Sequence, residues 1–196
     1  MLHRPHALLT SALACLACIA LLAGCASFRD RGPTSPVAFD RTQALAEINA
    51  FRSQNGLGPL TFEPHLQDAA EAQAETMAAV DHMDHDIDGK LPSRIESHGY
   101  QWQATSENLG RGYLTFHDAL IGWENSPHHR ENLLNKRAIH VGLAAARPAA
   151  GGTHYWAMIV AAPLPERRAV GGPTASPGGI SGQWWGAAMG GSIRVP

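Results

Sequence analysis

Apolar residues recur every three or four positions through most of the chain and then, near residue 140, begin to run without interruption. In "FDRTQALAEINAFRSQNGLGPL", Leu45, Ile48 and Phe51 share one helical face. Asp40 stands at the N-cap position with Gln43 three residues on, the spacing of a capping box, and Asn55-Gly56 stops the helix. "EPHLQDAAEAQAETMAAV" predicts a second helix with Pro64 in its first turn and Leu66, Ala69, Ala70, Ala74 and Met77 on its apolar face. Its alanines permit a neighbour to approach closely. "GKLPSRIESHGY" holds a short helix ended by Gly99. "TFHDALIGW" is capped by Thr115 and puts Phe116, Ala119, Leu120 and Trp123 on one side. "SPHHRENLLNK" has Ser126 as N-cap and Pro127 as first helical residue.

Two strands close the pattern, "IHVGLAAAR" (139–147) and "THYWAMIVAAP" (153–163), joined by a loop of hairpin length. The second is apolar on both parities, Tyr155, Ala157 and Ile159 against Trp156, Met158 and Val160. Such a strand requires cover on both faces. Helices first and strands last therefore predict an α+β domain whose sheet carries helices on each side.

The flanks follow other rules. Residues 1–24 read as an export signal, with basic Arg4 ahead of an apolar run from Ala7 to Ala23. Length alone does not separate this from a spanning helix, which needs roughly 20 apolar residues. "LLAGC" (21–25) resembles the lipobox of bacterial lipoproteins. That resemblance implies cleavage before Cys25 and lipidation of its sulfur, against an uncleaved anchor or an ordinary signal. Ala26 after the cysteine implies the outer membrane if the host has two membranes. Residues 25–39 read as a polar tether and 164–196, rich in glycine and proline, as a disordered tail. Within that tail Trp184–Trp185 is either a docking pair for lipid, glycan or a partner, or inert. The folded domain is then 40–163.

Composition narrows the chemistry. The three cysteines are Cys15, Cys18 and Cys25, so the mature domain keeps no thiol for a disulfide or a soft metal. A formal net charge of −2 leaves no electrostatic footprint for nucleic acid.

Five stretches now stand in a telling order: "LAEINAFRSQNGLGPLTFEPHLQDAAEAQAETMA", "HDIDGKLPSRIESHGY", "SENLG", "WENSPHHRENLL", and the pair "HVGLAAA" and "YWAMIVAAP". Together they resemble the CAP superfamily of cysteine-rich secretory proteins, antigen 5 and pathogenesis-related proteins, in its bacterial branch. The resemblance spans about residues 43–163. It implies a three-layer α-β-α sandwich with a mostly antiparallel central sheet. It also implies a cleft built from His85, Glu107 and His129. His82 competes with His85 for the first position. His129 matches the family's Ser-Pro-x-His-Arg, which leaves His128 at the variable position. The family's second glutamate falls on Ser126, and Glu124 is out of register.

In chemical terms, His85 and His129 could ligate zinc or another divalent metal. Glu107 could act as third ligand, as orienter of an imidazole, or as the base of a hydrolase. His129, near a helix N-terminus, is expected to stay neutral. Ser126 invites a nucleophile reading, which a hydroxyl engaged in capping would oppose. The reading that follows is a lipid-anchored envelope protein, membrane-bound through Cys25, whose domain binds a lipid, glycan or protein ligand without catalysis. The alternative is a metal-assisted, peptidase-like hydrolase using the same cleft.

Overall fold

The structure, a computed structural model, describes residues 31–165. Residues 1–24, expected to be an export signal, Cys25 and the segment with Trp184–Trp185 lie outside the described residues. The elements in order are β1 (Thr34–Pro36), α1 (Arg41–Gln54), β2 (Thr61–Phe62), α2 (Pro64–Ala79), α3 (Leu91–Ser97), β3 (Trp102–Arg111), α4 (Phe116–Glu124), α5 (Pro127–Leu133), β4 (His140–Pro148) and β5 (Tyr155–Pro163).

The helix boundaries follow local chemistry, with two corrections. Asp40 caps α1 by accepting the Gln43 N–H at 3.0 Å. The reciprocal half of the capping box does not form, because the Gln43 amide turns along the helix to Glu47 at 3.0 Å. Glu63 caps α2 through the Leu66 N–H, and Thr115 caps α4 through the Asp118 N–H. Ser126 occupies the N-cap of α5, yet its side chain makes no capping hydrogen bond. An engaged hydroxyl is therefore no argument about that serine.

The sheet runs β1-β4-β5-β3, with β2 beside β4. Every pairing is antiparallel except the short parallel one between β2 and β4. Three strands escape the hydrophobic pattern. β1 is built from residues expected in the tether, so the domain begins before residue 40: Val37 donates to Ala145 O at 2.8 Å and Gly32 to Ala79 O at 2.9 Å. β2 is too short to show alternation. β3 carries polar side chains along an edge of the sheet. The outer edge of β4, between β2 and β1, is closed by a side chain. Gln67 of α2 donates to Leu143 O at 2.8 Å and accepts from Leu143 N–H at 3.1 Å, in place of a missing strand.

Strand parity sorts the core into two layers. Val141, Leu143, Trp156, Met158 and Val160 pack with α1, α4 and Leu133 of α5. Ala144, Ala146, Tyr155, Ala157, Ile159 and Leu109 pack with α2 and α3. This is the α-β-α sandwich, with β5 buried on both faces as its uninterrupted apolar run requires.

Candidate functional site

β3 is the edge strand where the two helical layers meet, and adjacent residues on it reach opposite ways. Glu107 shares its parity with Leu109 and faces α3. Asn108, fully buried, faces α5. The Asn108 amide donates to the His129 carbonyl at 2.9 Å, and the Asn132 amide donates to Glu107 O and to Asn108 Oδ1, each at 2.9 Å. These bonds fix α5, and with it the His129 backbone, to the strand that carries Glu107. The asparagines satisfy backbone carbonyls, as buried polar groups must, at a helix–strand contact.

Glu107 is 5 % exposed, and both its oxygens are taken. Arg94 Nη2 donates to Oε1 at 2.8 Å, and His85 Nδ1 donates to Oε2 at 2.8 Å. Arg94, itself buried, also donates to His85 O at 3.2 Å and to Gly89 O at 3.1 Å. One guanidinium thus holds the carboxylate and the loop that presents the histidine. Gly89 allows that loop its turn, with φ of +98°. A carboxylate can only accept, so Nδ1 carries the proton and Nε2 is left as the ring's free nitrogen. His82 is exposed just after α2; the ring that reaches Glu107 belongs to His85.

The two imidazoles are driven in opposite directions. The hydrogen bond that His85 donates to Glu107 raises the pKa of His85, outweighing partial desolvation. Burial lowers that of His129, with smaller contributions from charge on His85 and on His128. His128 points to solvent, its side chain 95 % exposed. Glu124 lines the groove between α1 and α4 with Glu47 and His117, away from the pair.

This arrangement does not fit a three-ligand zinc centre. Among the described residues no group of three or more His, Cys, Asp or Glu side chains is placed to hold a metal ion. Direct ligation by Glu107 would compete with its bonds to Arg94 and His85, whereas His85 keeps Nε2 free with its Nδ1–H held by the carboxylate. What the geometry retains of the expected roles for Glu107 is orientation of a ring. Arg94 stands within "HDIDGKLPSRIESHGY"; its clamp on Glu107 appears only in three dimensions.

A family model for the cysteine-rich secretory protein family, CAP, matches residues 45–160, more than half of the chain. The chain belongs to the CAP family. Its curated relatives include the uncharacterized protein YkwD of Bacillus subtilis (strain 168), 29% identical over 113 residues, which are 57% of this chain and 44% of that protein. The uncharacterized membrane protein YlbC of the same organism is 30% identical over 107 residues, 54% of this chain and 31% of that protein. This chain thus spans less than half the length of either. Among solved structures, an outer surface protein from Borrelia burgdorferi aligns with a TM-score of 0.59 at 20% identity, covering 66% of this chain and 100% of that one. An extracellular protein containing an SCP domain from Bacillus anthracis str. Ames gives 0.55 at 24% identity, covering 62% of this chain and 39% of that one. At those identities the likeness carries the CAP fold and nothing further.

Proposed function

We propose that this CAP domain is a non-catalytic binding module of the cell envelope, tethered through a lipid on Cys25, with His85, Glu107 and His129 forming the cleft that engages a lipid, glycan or protein. The observation that carries this reading is the state of Glu107. A hydrolytic base needs a free oxygen within reach of water. Glu107 is 5 % exposed, with one oxygen on Arg94 and the other on His85. It is built to hold a ring still, and a fixed ring beside a second, neutral one suits recognition. The envelope location is supported by "LLAGC" and by two structural relatives described as outer surface and extracellular proteins.

The test uses the full chain. Its retention by phospholipid vesicles and by purified peptidoglycan is measured with and without a chelator, and again for His129→Ala. Chelator-insensitive retention that His129→Ala weakens at least tenfold is expected. Zinc-dependent cleavage of a casein substrate, lost in Glu107→Gln with the fold intact, would establish the hydrolase instead. Labelling with a radioactive fatty acid in cells, abolished by Cys25→Ser, is the expected result for the anchor.

A further inference from the structure

One end of the sheet gathers the start of β1 and β5 and the finish of β3 and β4. Tyr155 pairs there with Arg111 and with Ala146, and Thr34 pairs with Pro148. The described chain also enters at this end. The Ala149 N–H donates to Pro33 O at 2.9 Å, Gly32 donates to Ala79 O at 2.9 Å, and Arg31 pairs with Asp88 at 3.0 Å. The loop after α2 is tied to the same place. Asp81 accepts from the Tyr155 hydroxyl at 2.5 Å and from Arg111 Nη2 at 3.4 Å. Cys25 precedes Arg31 by six residues, about 22 Å of chain at full extension. A lipid on that cysteine would therefore hold this end of the sheet near a bilayer. At the other end His140 pairs with Ala161 and Trp102 with Pro163. The nine residues of β4 set the two ends roughly 27 Å apart.

Three loops at the near end carry exposed, uncharged residues. Leu114, between β3 and α4, is 74 % exposed, the highest value of any large apolar side chain among the described residues. Met83, after α2, is 42 % exposed. The two follow the paired Arg111 and Asp81 by three and two residues. The turn from β4 to β5, Ala149-Ala150-Gly151-Gly152, holds no charge, and both its alanines are exposed. The charges around these tips answer one another: Asp81 with Arg111, Asp88 with Arg31, Asp86 with Lys90. Asp84 accepts the Asp86 N–H at 2.9 Å, and Asp118 the Thr115 hydroxyl at 2.6 Å. Arg147 lies over the turn, its Nη1 3.6 Å from where a Cβ on Gly151 would stand, and offers a cation to a lipid phosphate. Apolar tips with paired charges behind them suit shallow insertion at the boundary of headgroups and acyl chains. We propose that this end of the sheet docks on the phospholipid surface that holds Cys25, seating Leu114, Met83 and the Ala149–Gly152 turn among the headgroups. The proposal rests on the Cys25 anchor described above and adds a second contact, made by the domain itself. His85 follows Met83 by two residues, so docking brings that loop of the cleft close to the bilayer.

The experiment expresses the full chain in bacterial cells and reconstitutes it into phosphatidylethanolamine–phosphatidylglycerol vesicles. With Cys15 and Cys18 in the expected signal and Cys25 acylated, a single introduced cysteine takes an environment-sensitive fluorophore selectively. Leu114→Cys and Met83→Cys report the near end. Ile139→Cys and Leu164→Cys, 49 % and 50 % exposed at the far end, control for apolar exposure alone. Reconstitution is expected to shift emission to the blue at 114 and 83, with loss of signal to spin-labelled lipid, and to change neither at 139 and 164. Leu114→Asp combined with Met83→Ser, both at exposed positions, should abolish the shift of a probe at Ala150→Cys while acylation persists. Mass spectrometry of the N-terminal peptide reads the anchor separately. Cys25 without acyl chains overturns the anchor and this proposal with it. Acylated protein whose probes at 114 and 83 stay solvent-like overturns docking alone. Equal shifts at all four positions overturn it as well, as does a shift present before reconstitution that grows with protein concentration, which marks contact between copies.

Discussion

The two faces of the central sheet solve the same packing problem by opposite means. Toward α1, α4 and α5 the sheet presents Trp156, Met158, Val160 and Leu143, met by Phe116 and Trp123. Phe116 packs against Trp123 and Trp156 with ring centroids 6.2 and 6.0 Å apart. Trp156 and Trp123 also anchor their indole N–H groups, on Tyr113 O and Leu109 O, each at 2.8 Å. Toward α2 the sheet offers Gly142, Ala144, Ala146 and Ala157, and the helix replies with Ala69, Ala70, Ala74 and Ala78. There the backbones themselves come close: a Cβ on Gly142 would lie 2.0 Å from Leu66 O. One face is filled by large side chains and suffers when they shrink. The other is set by backbone approach and suffers when anything grows.

The comparison is broken most severely at Gly142. Gly142→Val drives two branches into the α2 backbone, which has no rotamer by which to retreat, and the expected outcome is no folded protein by circular dichroism. The contrast is sharpened by a pair on β5. Trp156→Ala on the aromatic face should cost about 3–5 kcal/mol in urea unfolding, as removal of a large core aromatic does. Its neighbour Ala157→Leu on the alanine face should cost about 1–3 kcal/mol although it adds apolar surface, because it overpacks. A stabilised Ala157→Leu would show that α2 can move away from the sheet.

Where the faces meet at β3, Glu107→Gln tests the clamp. The substitution keeps the shape but strands the buried Arg94 charge, and breaking a buried pair on one side typically costs about 3–5 kcal/mol; retention of shape places the expected loss near the lower end. The smallest effects are those of pH. His85, raised by Glu107, contributes stability below the ordinary histidine range and loses it as pH climbs through its raised value. His129, lowered by burial, contributes stability above that range and loses it as pH falls through its lowered value. NMR titration should show the two rings moving apart from the ordinary value in opposite directions. In Glu107→Gln, His85 should return toward that value, and His129 should rise as the charge beside it weakens. Two rings that titrate together would deny that they share a field.

Much of this was legible in the chain because it is local. Leu66, Ala70, Ala74 and Met77 mark a buried helical face by spacing alone, and the uninterrupted "YWAMIVAA" demands cover on both sides whatever provides it. Gly99 ends α3 with φ of +93°, a conformation that sequence chemistry can anticipate. β3 was not legible. "WQATSENLGR" lacks alternation because it is an edge strand whose polar residues serve contacts from elsewhere. The N-terminal strand was hidden for a related reason, since "TSP" becomes a strand only by pairing with β4.

The sequence by itself determined the helices, the two long strands, the need for a sheet covered on both faces, and the family pattern that singles out His85, Glu107 and His129. Tertiary structure alone decided what those residues are to one another. A carboxylate becomes orienter, ligand or base according to how many of its lone pairs are already spent, and that depends on partners distant in the chain. Arg94 and His85 occupy both oxygens of Glu107, and Asn108 with Asn132 fixes the helix that carries His129 to the same strand. Periodicity encodes which face a residue takes; only the folded chain brings together the groups that set its charge.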